Sequence, residues 1–244
     1  MSTSNAPIII LVRPQLGENI GMCMRAMINC GMTRLRLVAP RDGWPSASAE
    51  RAASGAYELM NEIAIFDTVE KAIADCHTVF ATTARARELN KPHSDLNTAV
   101  TKASKETTQG AQIAFAFGCE RTGLDNQELS LMHHLVTIPL NDGFTSLNLA
   151  QAVLLVCHAL WDKFRVTDSS NISEETPPAP MDEIVNLCNR LETELEANHF
   201  FREENLKPTM VNNIRTMLTR ANLSEQEVRT FHGIISALIG KKNN

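Results

Sequence analysis

The stretch IAFAFGCERTGLDNQE, residues 113–128, changes character twice and sets out three kinds of structure in one line. Ile113 to Phe117 is apolar on both faces, as in a strand covered on both sides within a parallel sheet. Gly118 and Gly123 then open a loop through which backbone can approach a ligand closely. Asp125, followed three residues later by Glu128, has the spacing of a helix capping box. Strand, open loop and helix start in that order form the repeating unit of an α/β domain, whose sites lie at the carboxyl ends of the strands.

Working outward, the unit recurs through residue 165. Further strands are predicted at Ile8 to Val12, Arg34 to Val38, Ile63 to Phe66, Thr78 to Ala81 and Leu135 to Ile138, and Asp67 with Glu70 announces another capped helix. The helix predicted from Leu147 to Phe164 is apolar nearly all round, so it must be covered on more than one side, which suggests a subunit interface. Residues 166–180, VTDSSNISEETPPAP, have little to bury and read as a linker. Three amphipathic helices follow. Ile184, Leu187, Cys188, Leu191 and Leu195 share one face, as do Met210, Val211, Ile214, Met217, Leu218 and Ala221, and a third helix opens at Ser224 with Glu227 and closes near Gly240. Together they bury too little to stand alone, so they pack on the main domain or on a partner. The division expected is a 1–165 α/β domain, the linker, and a 181–244 helical tail.

The 244 residues, 43% hydrophobic and 21% charged, are ordinary for a soluble globular protein. The apolar run near the N-terminus is too short for a signal peptide or a membrane span, which points to the cytoplasm and away from membranes. Six cysteines lie scattered without a CxxC pair or a neighbouring histidine and read as reduced core thiols, with no metal site expected. A net charge of -5 speaks at first against a nucleic-acid partner. The distribution is uneven, however. Residues 1–41 carry Arg13, Arg25, Arg34, Arg36 and Arg41 against Glu18 alone, 85–105 and 205–244 are also basic, and the acidic excess sits in 166–204. Such segregation either builds a basic face or is scattered, solvated charge.

Three strand ends carry the candidate chemistry. In RPQLGENIGMCMRAMINCG, Arg13 to Gly31, Arg25 is surrounded by Met22, Cys23, Met24, Met27 and Ile28. A guanidinium there is either a helix-surface group or one held for use, because it stays charged and is costly to bury alone. Asn19 is a candidate helix cap or site residue. In the second segment Glu120 adds a carboxylate beside Gly118. In the third, IPLNDGFTSLNLA, Ile138 to Ala150, Ser146 either caps the following helix or joins Asn148 in a polar cluster suited to positioning a ribose hydroxyl. Adjacent threonines end the strand VFATTAR, Val79 to Arg85, and neither G-x-G-x-x-G nor a P-loop is present.

In order and spacing these segments resemble the three signature motifs of the SpoU (TrmH) family within the SPOUT methyltransferase superfamily. The first matches at Asn19, Gly21, Arg25 and Gly31, the second at Gly118, Glu120, Gly123 and Leu124, and the third at Pro139, Ser146, Leu147, Asn148 and Ala150. The tail, around Ile214 to Ile234, looks like the helical extension of the TrmJ-like branch.

The resemblance implies a parallel sheet with a C-terminal trefoil knot, a homodimer whose sites draw on both subunits, and S-adenosyl-L-methionine bound by Thr83, Ala84, Gly118, Ile138, Ser146 and Leu147. It implies methylation of the ribose 2'-oxygen of the first anticodon-loop nucleotide of tRNA, a cytidine or uridine. Arg25 is the family's proposed catalytic residue, with Asn19, Glu120, Ser146 and Asn148 positioning it, the ribose or the cofactor. A guanidinium hardly deprotonates, so holding phosphate and stabilising alkoxide charge suits Arg25 better than a base role. Ribosomal RNA as substrate, a catalytically silent RNA-binding dimer and an ordinary nucleotide-dependent α/β enzyme are the alternatives.

Overall fold

The computed structural model describes residues 6–83, 90–141, 143–166, 177–203 and 205–240. Its strands are β1 (Ile8–Val12), β2 (Arg34–Val38), β3 (Glu62–Phe66), β4 (Thr78–Thr82), β5 (His93–Asp95), β6 (Ile113–Phe117) and β7 (His134–Thr137). Its helices are α1 (Gly17–Asn29), α2 (Ala47–Ala53), α3 (Val69–Ile73), α4 (Leu96–Thr108), α5 (Asn126–Ser130), α6 (Leu149–Val166), α7 (Met181–Ala197), α8 (Lys207–Arg220) and α9 (Glu225–Gly240).

The strands form one parallel sheet in the order β3-β2-β1-β6-β4-β7-β5. Alternation along β1 explains why it is apolar on both faces. Ile9 and Leu11 point into a core with α1, α2, α4 and α6, whereas Ile8, Ile10 and Val12 point into a second core on the opposite face. All five side chains are fully buried.

That second core settles where the tail goes. Met181, Ile184, Leu187 and Cys188 of α7, Leu218 of α8, and Val228 and Ile235 of α9 join Val69, Ile73 and Leu129 beneath the sheet. Lys91 fastens the contact. Its ammonium is buried, donates to the Ser130 carbonyl at 2.9 Å, to the Met132 carbonyl and to Thr219 Oγ1 of α8 at 2.6 Å, and burial pushes its pKa down to about 7.

Some local expectations change. Asp125 and Glu128 close the expected capping box, but Asp67 does not cap α3. Thr68 stands in the extended position before Val69 and accepts from the Lys71 N–H, while Asp67 pairs with Lys71 Nζ at 3.0 Å. The predicted start of α6 moves from Leu147 to Leu149, and its cap is Asn148 rather than Ser146. Asn148 Oδ1 accepts from the Ala150 N–H at 2.8 Å, and Gln151 Oε1 accepts from the Asn148 N–H at 2.9 Å. Nor is α6 covered all round in the single chain. Val153, Val156, Cys157 and Leu160 are buried, but Leu154, Leu155 and Trp161 are partly exposed. Strand β5 was not predicted, because three polar edge residues carry no apolar alternation to read. Ser224 and Glu227 cap α9 as expected, and all six cysteines are free and buried. Among the described residues no helix is long and apolar enough to cross a membrane. Most of the predicted linker, 167–176, lies outside the described residues.

Candidate functional site

Strands β6, β4 and β7 are neighbours, so the loops leaving their carboxyl ends meet. They enclose a cavity of about 580 Å³, within the usual range for small-ligand sites. Thr82 and Thr83 enter from β4, Phe117 to Leu124 from β6, Thr137 to Leu140 from β7, and Thr145 to Leu147 with Leu149 and Ala152 from the approach to α6. The walls are apolar at Ile138, Leu140 and Leu147 and carry the hydroxyls of Thr83, Thr137 and Ser146, with Glu120 and Arg121 as the charged groups.

Backbone, more than side chain, shapes the cavity. A Cβ on Gly118 would stand 2.1 Å from both the Gly123 carbonyl carbon and the Leu124 nitrogen, so the 118–124 loop closes on itself only with glycine there. Gly123 turns the loop at φ +69, and its N–H donates to the Cys119 carbonyl at 2.9 Å. On the β4 side, the Thr83 N–H donates to the Val136 carbonyl at 2.9 Å, and the Thr137 hydroxyl donates to the Thr83 carbonyl at 3.3 Å. His93 Nε2 of β5 is hydrogen-bonded to the same hydroxyl at 2.6 Å.

A polar chain braces the opposite side. Glu120 accepts from the Gln15 N–H at 3.0 Å and from Asn19 Nδ2 at 2.7 Å. Asn148 Nδ2 donates to Asn19 Oδ1 at 3.2 Å, and Asn148 in turn caps α6. Asn19, Glu120 and Asn148 therefore tie the β1–α1 turn, the β6 loop and the start of α6 together. With its oxygens taken up by these donors, Glu120 is an anchor for the loop.

Of the residues expected to bind a cofactor, Thr83, Gly118, Ile138, Ser146 and Leu147 line the cavity, and Ala84 lies outside the described residues. Glu120 and Ser146 line the cavity, while Asn19 and Asn148 do not line it but are joined to Glu120 by hydrogen bonds. Arg25 is not brought to this cavity. It sits exposed on α1 near the exposed Met22, with no side-chain partner among the described residues. The other four arginines of residues 1–41 do not form a free basic face. Arg13 forks onto Glu128, Arg34 pairs with Glu62 at 2.8 Å, the buried Arg36 grips Asp75 at 2.5 and 2.7 Å, and Arg41 pairs with Asp42. Likewise Lys102 pairs with Glu106, Lys207 with Glu196 and Arg215 with Glu192. Sequence reasoning missed Arg121, hidden beside Glu120 in a short loop, and Thr145; only their place in a strand-end loop pointed to them.

A cavity at the carboxyl ends of three adjacent parallel strands, walled by a glycine loop, is the usual place for a ligand site in an α/β protein. A sequence profile of the SpoU rRNA Methylase family matches residues 6–158. The chain belongs to that family. It is 34% identical over 233 residues to the tRNA (cytidine/uridine-2'-O-)-methyltransferase TrmJ of Citrobacter koseri, covering 94% of this chain and 95% of that enzyme. The crystal structure of TrmJ from Z. mobilis ZM4 superposes with a TM-score of 0.84 at 41% identity, covering 96% of this chain and 99% of that one. The fold also extends to the SpoU methyltransferase AviRb from Streptomyces viridochromogenes in complex with AdoMet, with a TM-score of 0.52 at 17% identity over 65% of this chain and 60% of that one.

Proposed function

We propose that this chain is an S-adenosyl-L-methionine-dependent tRNA 2'-O-ribose methyltransferase acting on the first anticodon-loop nucleotide, cytidine or uridine, as a cytoplasmic homodimer. The observation that carries the reading is the convergence of the second and third family motifs on one cavity, in a chain alike over nearly its whole length to enzymes named for that reaction. The residues fit the cofactor. Apolar Ile138 and Leu147 suit a purine, the hydroxyls suit a ribose, and Gly118 lets backbone groups approach the ligand. S-adenosylmethionine supplies a methyl group on a sulfonium, open to in-line displacement.

The chain's own task is alignment and charge. Holding the ribose 2'-oxygen in line is worth several kcal/mol of the barrier. Ser146, exposed at the cavity and free of the capping role that Asn148 takes, is placed to hold the ribose, and Asn19, Glu120 and Asn148 keep its loop in register. Arg25 has no task within its own subunit. Two copies meeting across the exposed apolar side chains Met22, Leu154, Leu155 and Trp161 would carry it to the partner's cavity, where it holds the adjacent phosphate and favours the alkoxide. The trefoil knot belongs to the same proposal. It is supported by β7, last in sequence, lying between β4 and β5, and by its outgoing loop joining those of β4 and β6. Residues 1–165 then hold the chemistry, and 181–244, joined through 166–180, add RNA-binding surface.

The test is to incubate the purified chain with methyl-labelled cofactor and either tRNA or ribosomal RNA, mapping ribose methylation by mass spectrometry. A mark at the first anticodon-loop nucleotide is expected. Methylation confined to ribosomal RNA, or none, overturns the reading.

A further inference from the structure

One aromatic side chain outside both cores directly precedes a cavity-lining segment, Thr145 to Leu147. Phe144 is 75% exposed, more than any other large apolar residue among those described, whereas Phe80, Phe115, Phe117 and Phe164 are buried. The Phe144 N–H donates to the Asn141 carbonyl at 2.9 Å, and Asn141 Oδ1 accepts from the Gly143 N–H at 3.1 Å. The next three residues, Thr145 to Leu147, line the cavity, and Arg121 lines it too. Its described chain neighbours Asn141, Gly143, Thr145 and Ser146 are exposed and not hydrophobic.

We propose that Phe144 is the stacking platform for the base of the nucleotide being methylated. The inference rests on the functional reading above and specifies how the substrate is held. Reaction at a ribose hydroxyl brings the sugar to the cavity, and the segment that carries Phe144, one residue before the cavity-lining Thr145, is then near the attached base. Single-stranded loop bases are held by stacking on aromatic side chains. A π-face accepts cytosine and uracil alike, so a stacking contact, unlike a hydrogen-bonding one, tolerates either pyrimidine.

The experiment compares the full chain with its Phe144→Ala and Phe144→Trp variants. It reads apparent KM and kcat on intact tRNA, S-adenosylmethionine affinity by calorimetry, and oligomeric state by sedimentation. Phe144→Ala is expected to raise the KM for tRNA by about tenfold or more, the scale of one lost base stack. Cofactor affinity and oligomeric state stay unchanged, and Phe144→Trp restores the KM. An unchanged KM overturns the proposal. So does a parallel loss of cofactor affinity, which makes the ring a cofactor wall, or dissociation of the oligomer, which makes it a contact between copies. If the unaltered chain methylates no tRNA, the functional reading fails first and the proposal with it.

Discussion

Arg25 and Gly118 show what a single residue can and cannot reveal. Arg25 stood out in the sequence by its isolation among methionines, and the fold sharpens that. Its neighbours in the basic N-terminal stretch are all engaged with carboxylates, and it alone is without a partner among the described residues. If it serves the partner's site, Arg25→Ala lowers kcat roughly a hundredfold or more with cofactor affinity intact, a split that calorimetry beside turnover would reveal. Turnover within a few-fold of the unaltered chain would remove Arg25 from the mechanism. Gly118 fails differently. Its missing side chain is the space that Gly123 and Leu124 occupy, so Gly118→Ala forces the loop open, and both cofactor binding and melting temperature fall together. Phe144 and Arg121 were not legible, because exposure and convergence on a cavity are properties of the folded chain.

Elements with strong internal pattern were readable, and those defined by their neighbours were not. Strands β1, β2, β4 and β6 were found because each is covered on both sides, and β3 and β7 by their apolar residues, whereas β5 exists only because β7 offers it an edge. The capping box at Asp125 was legible and the one at Asp67 misleading, since spacing alone does not decide which of two adjacent oxygens, Asp67 or Thr68, stands at the turn. Helix α6 was expected to be covered on more than one side, and in the single chain Leu154, Leu155 and Trp161 are exposed. Leu154→Lys is therefore expected to yield monomers in sedimentation, with the fold kept; an undisturbed dimer would place the interface elsewhere. For α8 the deciding contact is Lys91. Lys91→Met leaves the Ser130 and Met132 carbonyls short of a donor, an orphaning that costs about 1–3 kcal/mol per group. Faster hydrogen exchange across Lys207–Arg220 is the expected readout, and unchanged protection would deny Lys91 the clamping role.

Across the whole molecule, protonation sets an acid limit. His133 is buried with Nδ1 accepting from the Val79 N–H, and His77 Nδ1 accepts from the Gln112 N–H. Burial lowers the pKa of both, and that of His134 to about 4. The unfolded chain binds protons at these rings near pH 6.5 while the folded chain resists, so their contribution is present above that value and lost as pH falls toward 4. A ring kept neutral by burial, such as His133, makes stability fall as pH drops through that window. A denaturant midpoint that stays flat between pH 7 and 5 would contradict this. At the same scale, the tail roofs one face of the sheet, which amphipathic spacing alone left open between main domain and partner. Removing it would strip Met181, Ile184, Leu187, Cys188, Leu218, Val228 and Ile235 from the second core and uncover α3 and α5. Truncation is thus expected to give aggregated protein, and a soluble, cooperatively melting fragment of residues 1–166 would show the roof to be dispensable.

The roofing also bears on how such a protein can be re-engineered or can diverge. A tail exchanged between relatives to alter RNA preference is not a detachable cartridge. Its inward positions, Met181, Ile184, Leu187 and Leu218, answer to the sheet beneath, and only the outward ones are at liberty to change. If the tail adds RNA-binding surface as proposed, substrate choice and solubility would be written on opposite sides of the same three helices, and a chimera keeps its shape when the inner script is copied and the outer one rewritten.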